Sequence, residues 1–259
     1  MAGTLPPPGT YLSFEPNHYS SDRLNDGNGD RRPLDFSANA TSLAFHGLYI
    51  LPMTVLGAQV AAHVVLPVID LNVAVNGWKS RKFGLGDPAI TPVILAWNLA
   101  PNVTLTAGVD VSLPLGQYNA KSPANIGRNT WAFQPTLGLS YIDREGWQAQ
   151  VSPRFSFTTT NDATDYHSGA DLTIDYAAGR NIGPWRLGVS GYYYLQYEDD
   201  TVAGHRVAAD GHRGTAFAAG PAVSHNIGPV QATFTWQHEF MAENRAQAEN
   251  FWIQGCLRF

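Results

Sequence analysis

The feature that most constrains this chain is an alternation of apolar and polar residues with a period of two, repeated along most of its length. In the segment from Trp147 to Thr158, Trp147, Ala149, Val151, Pro153, Phe155 and Phe157 face one way. Gln148, Gln150, Ser152, Arg154, Ser156 and Thr158 face the other. The same division separates Val103, Leu105, Ala107, Val109, Val111 and Leu113 from Thr104, Thr106, Gly108, Asp110 and Ser112. It also separates Trp185, Leu187, Val189, Gly191, Tyr193 and Leu195 from Arg186, Gly188, Ser190, Tyr192, Tyr194 and Gln196. Side chains two apart share one face of a strand, so each segment is predicted to be a strand with one greasy and one wet side. An apolar face toward lipid and a polar face toward a lumen is the form this pattern takes in a transmembrane barrel.

Connections between the segments alternate in length. Short ones are predicted at Leu56-Gly57-Ala58, Pro101-Asn102, Asp143-Arg144-Glu145-Gly146, Asn181-Ile182-Gly183-Pro184 and Asn226-Ile227-Gly228-Pro229. Longer polar ones fall near 20–37, 76–87, 116–128, 160–168 and 199–212, with a sixth near 242–247. Short periplasmic turns opposite long extracellular loops are usual for outer-membrane barrels, and the count predicts about twelve strands. The expectation is one all-β domain over 1–259, a transmembrane antiparallel β-barrel of the bacterial outer membrane. Residues 1–9 form an N-terminal segment lying in the periplasm or the lumen. Trp97, Tyr141, Trp147, Trp185 and Phe259 fall near short turns or the C-terminus, where one interfacial aromatic girdle is expected. The last segment, Phe251 to Phe259, alternates in the same way, with Gln254, Cys256 and Arg258 on its polar face, and ends on Phe. This resembles the final strand of outer-membrane barrels and implies recognition by the barrel-assembly machinery.

Composition agrees. Charged residues make up 14% of the chain and aromatics 12%, against about a quarter charged in ordinary globular domains. Mean hydropathy is only −0.17, which does not suit a bundle of membrane helices. One stretch, Phe36 to Ile69, lacks Asp, Glu, Lys and Arg. A helical hairpin there is rejected because Pro52 and Pro67 would break it, polar residues including His46 and His63 interrupt it, and Val64-Val65-Leu66 is β-rich. A net charge of −5 argues against nucleic-acid binding. The single cysteine, Cys256, allows no intramolecular disulfide and no Cys-based metal cluster. The start, Met1-Ala2-Gly3-Thr4-Leu5, lacks the basic and apolar regions of a signal peptide, so the sequence is read as a mature chain.

Several motifs then fall in order: Leu5-Pro6-Pro7-Pro8-Gly9-Thr10-Tyr11, Tyr19-Ser20-Ser21-Asp22-Arg23-Leu24 with Gly27-Asn28-Gly29-Asp30, and Gly84-Leu85-Gly86-Asp87-Pro88. Asn125-Ile126-Gly127 before Trp131, Thr164-Asp165-Tyr166-His167-Ser168-Gly169, Gly191-Tyr192-Tyr193-Tyr194-Leu195-Gln196-Tyr197, Asp199-Asp200 and Gly220-Pro221 complete the set. With these the chain resembles, over nearly its whole length, the outer-membrane channel family known as the MetA-pathway of phenol degradation. The resemblance implies uptake of aromatic or other hydrophobic small molecules.

Parity places seven charges in the lumen as pore-lining candidates: Asp110, Arg154, Asp171, Asp175, Arg186, Glu239 and Arg258. They either line a water path or pair across it. Leu48, Ile50, Val64, Leu66 and Ile94 make both faces apolar on the second to fourth strands, which gives either a greasy path or a seat for the N-terminal segment. Asp87 is read as fixing an extracellular turn, since Gly84-Leu85-Gly86-Asp87 lacks the third glycine and the helix of a phosphate loop. His18 and Ser20, two apart on the first strand, are the one pattern suggestive of a lipid hydrolase, without a third member. His63, His167, His205 and His212 lack metal-ligand spacing.

The expected function is passive small-molecule uptake, with no enzyme activity, no catalytic or metal residue and no cofactor. The expected surroundings are the lipid bilayer and lipopolysaccharide. A lipid-modifying enzyme and a closed structural barrel are the alternatives.

Overall fold

The computed structural model describes residues 5–227 and 230–258, with side chains as far as Gly255. In chain order its strands are β1 (Gly9–Leu24), β2 (Phe36–Val55), β3 (Ala58–Val75), β4 (Trp78–Leu85), β5 (Ala89–Ala100), β6 (Val103–Ser112), β7 (Ala132–Ile142) and β8 (Trp147–Thr158). There follow β9 (Tyr166–His167), β10 (Asp171–Ile182), β11 (Trp185–Gln196), β12 (Thr201–Val202), β13 (His205–Arg206), β14 (Thr215–Ile227), β15 (Val230–Glu243) and β16 (Ala246–Arg258). Twelve of them form a closed antiparallel wall. Each pairs with the next, and β1 pairs with both β2 and β16, so the ring has no free edge. Closure is what a membrane demands of strands, because lipid offers no partner to a bare backbone N–H or C=O. No helix among the described residues is long and apolar enough to cross a membrane.

The side chains are arranged inside out relative to a soluble barrel. Large apolar residues are exposed on the outer wall, among them Leu12, Phe45, Leu137, Phe155, Val189 and Ile253. The buried inner positions hold small or polar residues such as Thr104, Thr106, Ser140, Ala216, Ala218 and Asn250. A water-soluble protein does not leave so much contiguous apolar surface uncovered. A barrel sunk in lipid does, and this chain is an outer-membrane barrel.

Cross-strand registers confirm the parity. Asp110 opposes Gln134, Arg154 opposes Thr136 and Thr173, and Arg186 opposes Asn181 and Ser224. On the outer face, two glycines receive aromatic rings. Tyr176 lies opposite Gly191 and donates across it to the Ala218 carbonyl at 2.8 Å. Phe14 lies opposite Gly255, whose missing Cβ leaves the ring room. Each ring covers backbone that glycine would otherwise leave bare.

The periplasmic turns are short, as at Leu56-Gly57, Pro101-Asn102 and Gly183-Pro184. Gly228 and Pro229 of the expected fifth turn lie outside the described residues. An aromatic girdle marks this end: Trp97 donates to the Leu56 carbonyl at 3.1 Å, the Arg180 guanidinium lies 5.1 Å from the Trp147 ring, and Trp185 stacks on His225 at 4.2 Å. Phe259 lies outside the described residues. At the other end, outward residues turn polar at His18, Thr41, Asp70 and Glu249, while β2 and β3 continue beyond that level. Residues 78–85, expected to be loop, form strand β4, which pairs with the upper half of β3. β9, β12 and β13 make a small separate sheet.

One expectation needs correction. The stretch near 242–247 is no long loop. β15 runs to Glu243 and β16 starts at Ala246, leaving a turn at Asn244-Arg245. Asn244 takes the left-handed conformation (φ 53°), which Asn tolerates better than most residues. The polar residues that made the stretch look like a loop are instead tied to the loop at Asp210 and Arg213 and to Glu239 in the lumen.

Candidate functional site

The lumen divides into two unlike halves. The periplasmic half contains a cavity of about 490 Å³, within the range of small-molecule sites. Leu5, Leu48, His63 and Ile94 line one side, and Gln150, Arg186, Ser190 and Thr233 are among the polar residues opposite. The apolar side has depth: Leu48, Ile50, Ala61 and Tyr11 form a buried cluster on β1–β3, and Leu5 and Ile94 pack on it. The greasy wall legible in the sequence therefore both faces the cavity and seats the start of the chain. Tyr11 fixes that start by donating to the Pro7 carbonyl at 2.7 Å.

Three titratable groups stand beside this wall. Gln254 donates to one carboxylate oxygen of Glu15, and the other lies 3.3 Å from His46 Nε2. His46 Nδ1 is 3.0 Å from His63 Nε2, with the rings stacked at 5.1 Å. The registers place them so: Ser13 opposes His46 and Leu48 opposes His63, which makes Glu15, His46 and His63 diagonal neighbours on three adjacent strands.

The extracellular half is crossed by a polar network. Glu239 is fully buried. It accepts hydrogen bonds from the Tyr192 hydroxyl, from the Ala248 N–H at 2.6 Å and from Arg245 at 3.4 Å. The Arg245 guanidinium lies 4.8 Å from the Tyr194 ring. Gln247 donates to the Glu239 carbonyl at 2.7 Å and accepts from Asn25, which Arg23 also bonds at 2.8 Å. Tyr192 on β11 reaches Glu239 on β15 because the intervening strand β14 offers only Ala216, Ala218 and Gly220 inward. The network thus joins four strands, β11, β15, β16 and β1, passing over β14 and through the closure seam.

The lumen candidates are distributed over both halves. Asp110 accepts from Thr91. Asp171 and Asp175 oppose Ser156 and Ser152, on either side of Arg154. Arg186 lines the cavity and donates to Asn181 at 3.1 Å. Glu239 lies inside the network. The Arg258 side chain is outside the described residues.

Above the wall the loops are tied down. Asp87 accepts from the Gly116 N–H at 2.8 Å and the Arg128 N–H at 2.7 Å, which joins two loops in the role the sequence suggests for it. Gly86, Gly116 and Gly127 stack so closely that a Cβ at Gly116 or Gly127 would strike neighbouring backbone. Asp200 binds a second pair of loops: it accepts from the Gly169 N–H at 2.9 Å, from Gln196 at 2.7 Å and from the Tyr166 hydroxyl, with His212 Nδ1 at 3.3 Å. Burial first, then this carboxylate, raises the Tyr166 phenol above its usual pKa. His18 and Ser20 point outward and bond Thr41 (3.0 Å) and Asn39 (2.9 Å) on β2. Among the described residues, no three of His, Cys, Asp or Glu are grouped to hold a metal.

Comparison with known proteins places this geometry. The family model described as "Putative MetA-pathway of phenol degradation" matches residues 21–255. The COG4313 outer membrane channel from Pseudomonas putida F1 superposes with a TM-score of 0.89 at 16% identity, covering 100% of this chain and 98% of that one. The β domain of the Bordetella autotransporter BrkA matches at 0.58 and 11% identity, over 97% and 99%. The CymD monoaromatic hydrocarbon channel matches at 0.51 and 10%, over 97% and 89%. No curated protein matches the chain. At these identities the likenesses concern the fold alone.

Proposed function

The chain belongs to the MetA-pathway of phenol degradation family, and from that premise we propose that it is a passive outer-membrane channel for small, largely apolar solutes. The observation that carries the reading is the two-sided cavity. An apolar wall of Leu48, Ile94 and Leu5 faces a polar wall that includes Gln150, Ser190 and Thr233. A solute with an aromatic body is desolvated on one side while water or its own polar group is accommodated on the other. Two of the similar folds are those of channels, one of them for monoaromatic hydrocarbons, which supports the same reading.

Solute enters between the tied extracellular loops, passes the Glu239 network where Tyr192 and Arg245 narrow the lumen, occupies the cavity and leaves past the N-terminal segment. Arg154, Asp171 and Asp175 line the route and Arg186 stands in the cavity, so these set its preference for charge. No covalent step, cofactor or energy source is required. The outward polar groups His18, Thr41 and Glu249 sit where lipopolysaccharide headgroups begin, and the barrel-assembly machinery inserts the chain.

Recording from a planar bilayer tests this. Steps of conductance are expected, and replacing Arg154 or Arg186 with Ala is expected to move the reversal potential in a salt gradient toward cation preference. A silent bilayer together with lipid hydrolysis would replace the channel reading with an enzymatic one.

A further inference from the structure

The Glu15–His46–His63 relay gives the cavity a directed polar group whose sense follows from hydrogen-bond bookkeeping. Both oxygens of the Glu15 carboxylate accept, one from Gln254 and one from His46. An ionised carboxylate cannot donate, so His46 Nε2 carries the proton. A neutral imidazole with hydrogen on Nε2 has a bare Nδ1. In the neutral form of His46 that nitrogen, 3.0 Å from His63 Nε2, accepts, and His63 Nε2 donates to it. His63 is then left with a bare Nδ1. The ring lines the cavity, and no hydrogen bond is found for Nδ1 among the described residues. Which ring nitrogen is free is thus fixed two side chains away, as second partners commonly fix histidine tautomers.

We propose that His63 Nδ1 is a hydrogen-bond acceptor for the transported solute, and that the cavity selects small apolar molecules bearing an O–H donor, hydroxylated aromatics in particular. Leu48, Ile94 and Leu5 flank the acceptor and receive the ring of such a molecule while its hydroxyl meets the imidazole. A carboxylate is disfavoured, because it brings only lone pairs to a bare nitrogen backed by Glu15. An unsubstituted hydrocarbon fits the wall but leaves the acceptor unpaired. The inference deepens the channel reading and rests on it for the word "transported"; the binding site itself does not depend on conductance.

Two isomeric probes separate these ideas: cresol, which has an O–H, and anisole, which has none. Their binding to the full-length protein is measured by titration calorimetry, after subtraction of partition into empty micelles. The wild type is expected to favour cresol by roughly threefold to tenfold, the usual net value of one hydrogen bond. His63→Phe keeps the ring and loses the acceptor, so the preference is expected to vanish while anisole binding persists. Glu15→Gln is the second variant. Its amide oxygen still accepts from Gln254, and its N–H₂ turns His46 and then His63 around, so that Nδ1 of His63 becomes a donor; the oxygens of both probes accept from it, and the cresol preference is expected to be lost. Equal affinities in the wild type, or a cresol preference that survives both variants, overturn the proposal. If equal affinities occur in protein that conducts, the channel reading stands alone. If cresol selectivity occurs in protein that never conducts, the site stands and the channel reading falls.

Discussion

The two halves of the lumen are built from the same alternating strands and yet differ in what the inward residues do. In the periplasmic half, inward side chains such as Gln150 and Arg186 border a cavity. In the extracellular half, inward side chains bond one another, with Glu239 fully buried at the centre of a network of four strands. Burying a carboxylate is costly unless its lone pairs are filled, and here Tyr192, Ala248 and Arg245 fill them. The contrast teaches that stability of the interior is concentrated above and solute space below. It also explains why loops on the outside are short of freedom: Asp87 and Asp200 continue the tied region past the membrane edge.

That contrast can be broken at its strongest point first. Glu239→Leu leaves Arg245, the Tyr192 hydroxyl and the Ala248 N–H without their acceptor, and is expected to destabilise the barrel by about 3 kcal/mol. Urea unfolding followed by tryptophan fluorescence measures it, and a change below about 1 kcal/mol would mean that the upper half is not held together this way. Asp200→Ala is expected to act locally. It removes the acceptor shared by Gly169, Gln196 and Tyr166, costing about 1–2 kcal/mol for the loops alone. Limited proteolysis should then cut within 197–214 while the barrel remains folded; cleavage at the wild-type rate would contradict the tie. At the weak end, Gln150→Ala on the cavity wall should stay within about 0.5 kcal/mol of wild type in the same urea assay, since the residue is exposed to the cavity. A larger loss there would erase the distinction between the halves.

Much of the architecture was legible because the code for it is local. Alternation along Val103–Leu113, Trp147–Thr158 and Trp185–Gln196 marks inside and outside residue by residue, and the registers place Asp110, Arg154, Asp171, Asp175 and Arg186 inward accordingly. What escaped depends on register between strands. Glu15, His46 and His63 meet only because three residues, Leu51, Pro52 and Met53, oppose one, Val60, near the β2–β3 turn. Counting evenly from Leu56-Gly57 would set Ile50, not Leu48, against His63 and carry His46 away from it. Such a bulge leaves parity unchanged and so leaves no trace in the alternation. The Glu239 network escaped for a similar reason. Its partners lie on strands either side of β14, and the signal was the run of small inward residues Ala216, Ala218 and Gly220 that lets them meet. Polarity misled at Asn244-Arg245, where Asn244 bonds the neighbouring extracellular loop at Asp210 and Arg245 bonds into the lumen at Glu239.

The most direct test of the account uses two adjacent residues of β11. Both residues border the cavity through their backbone, but the Ser190 side chain lies on the inward face with Arg186, whereas that of Val189 points outward and is 55% exposed on the wall. In a Cys256→Ser background, Ser190→Cys and Val189→Cys are placed separately in planar bilayers and treated with a bulky, water-soluble thiol reagent. The account predicts that conductance of the Ser190→Cys protein falls on treatment while that of Val189→Cys is unchanged. Equal responses at the two positions, or a fall at Val189→Cys alone, would contradict a solute path through the lumen.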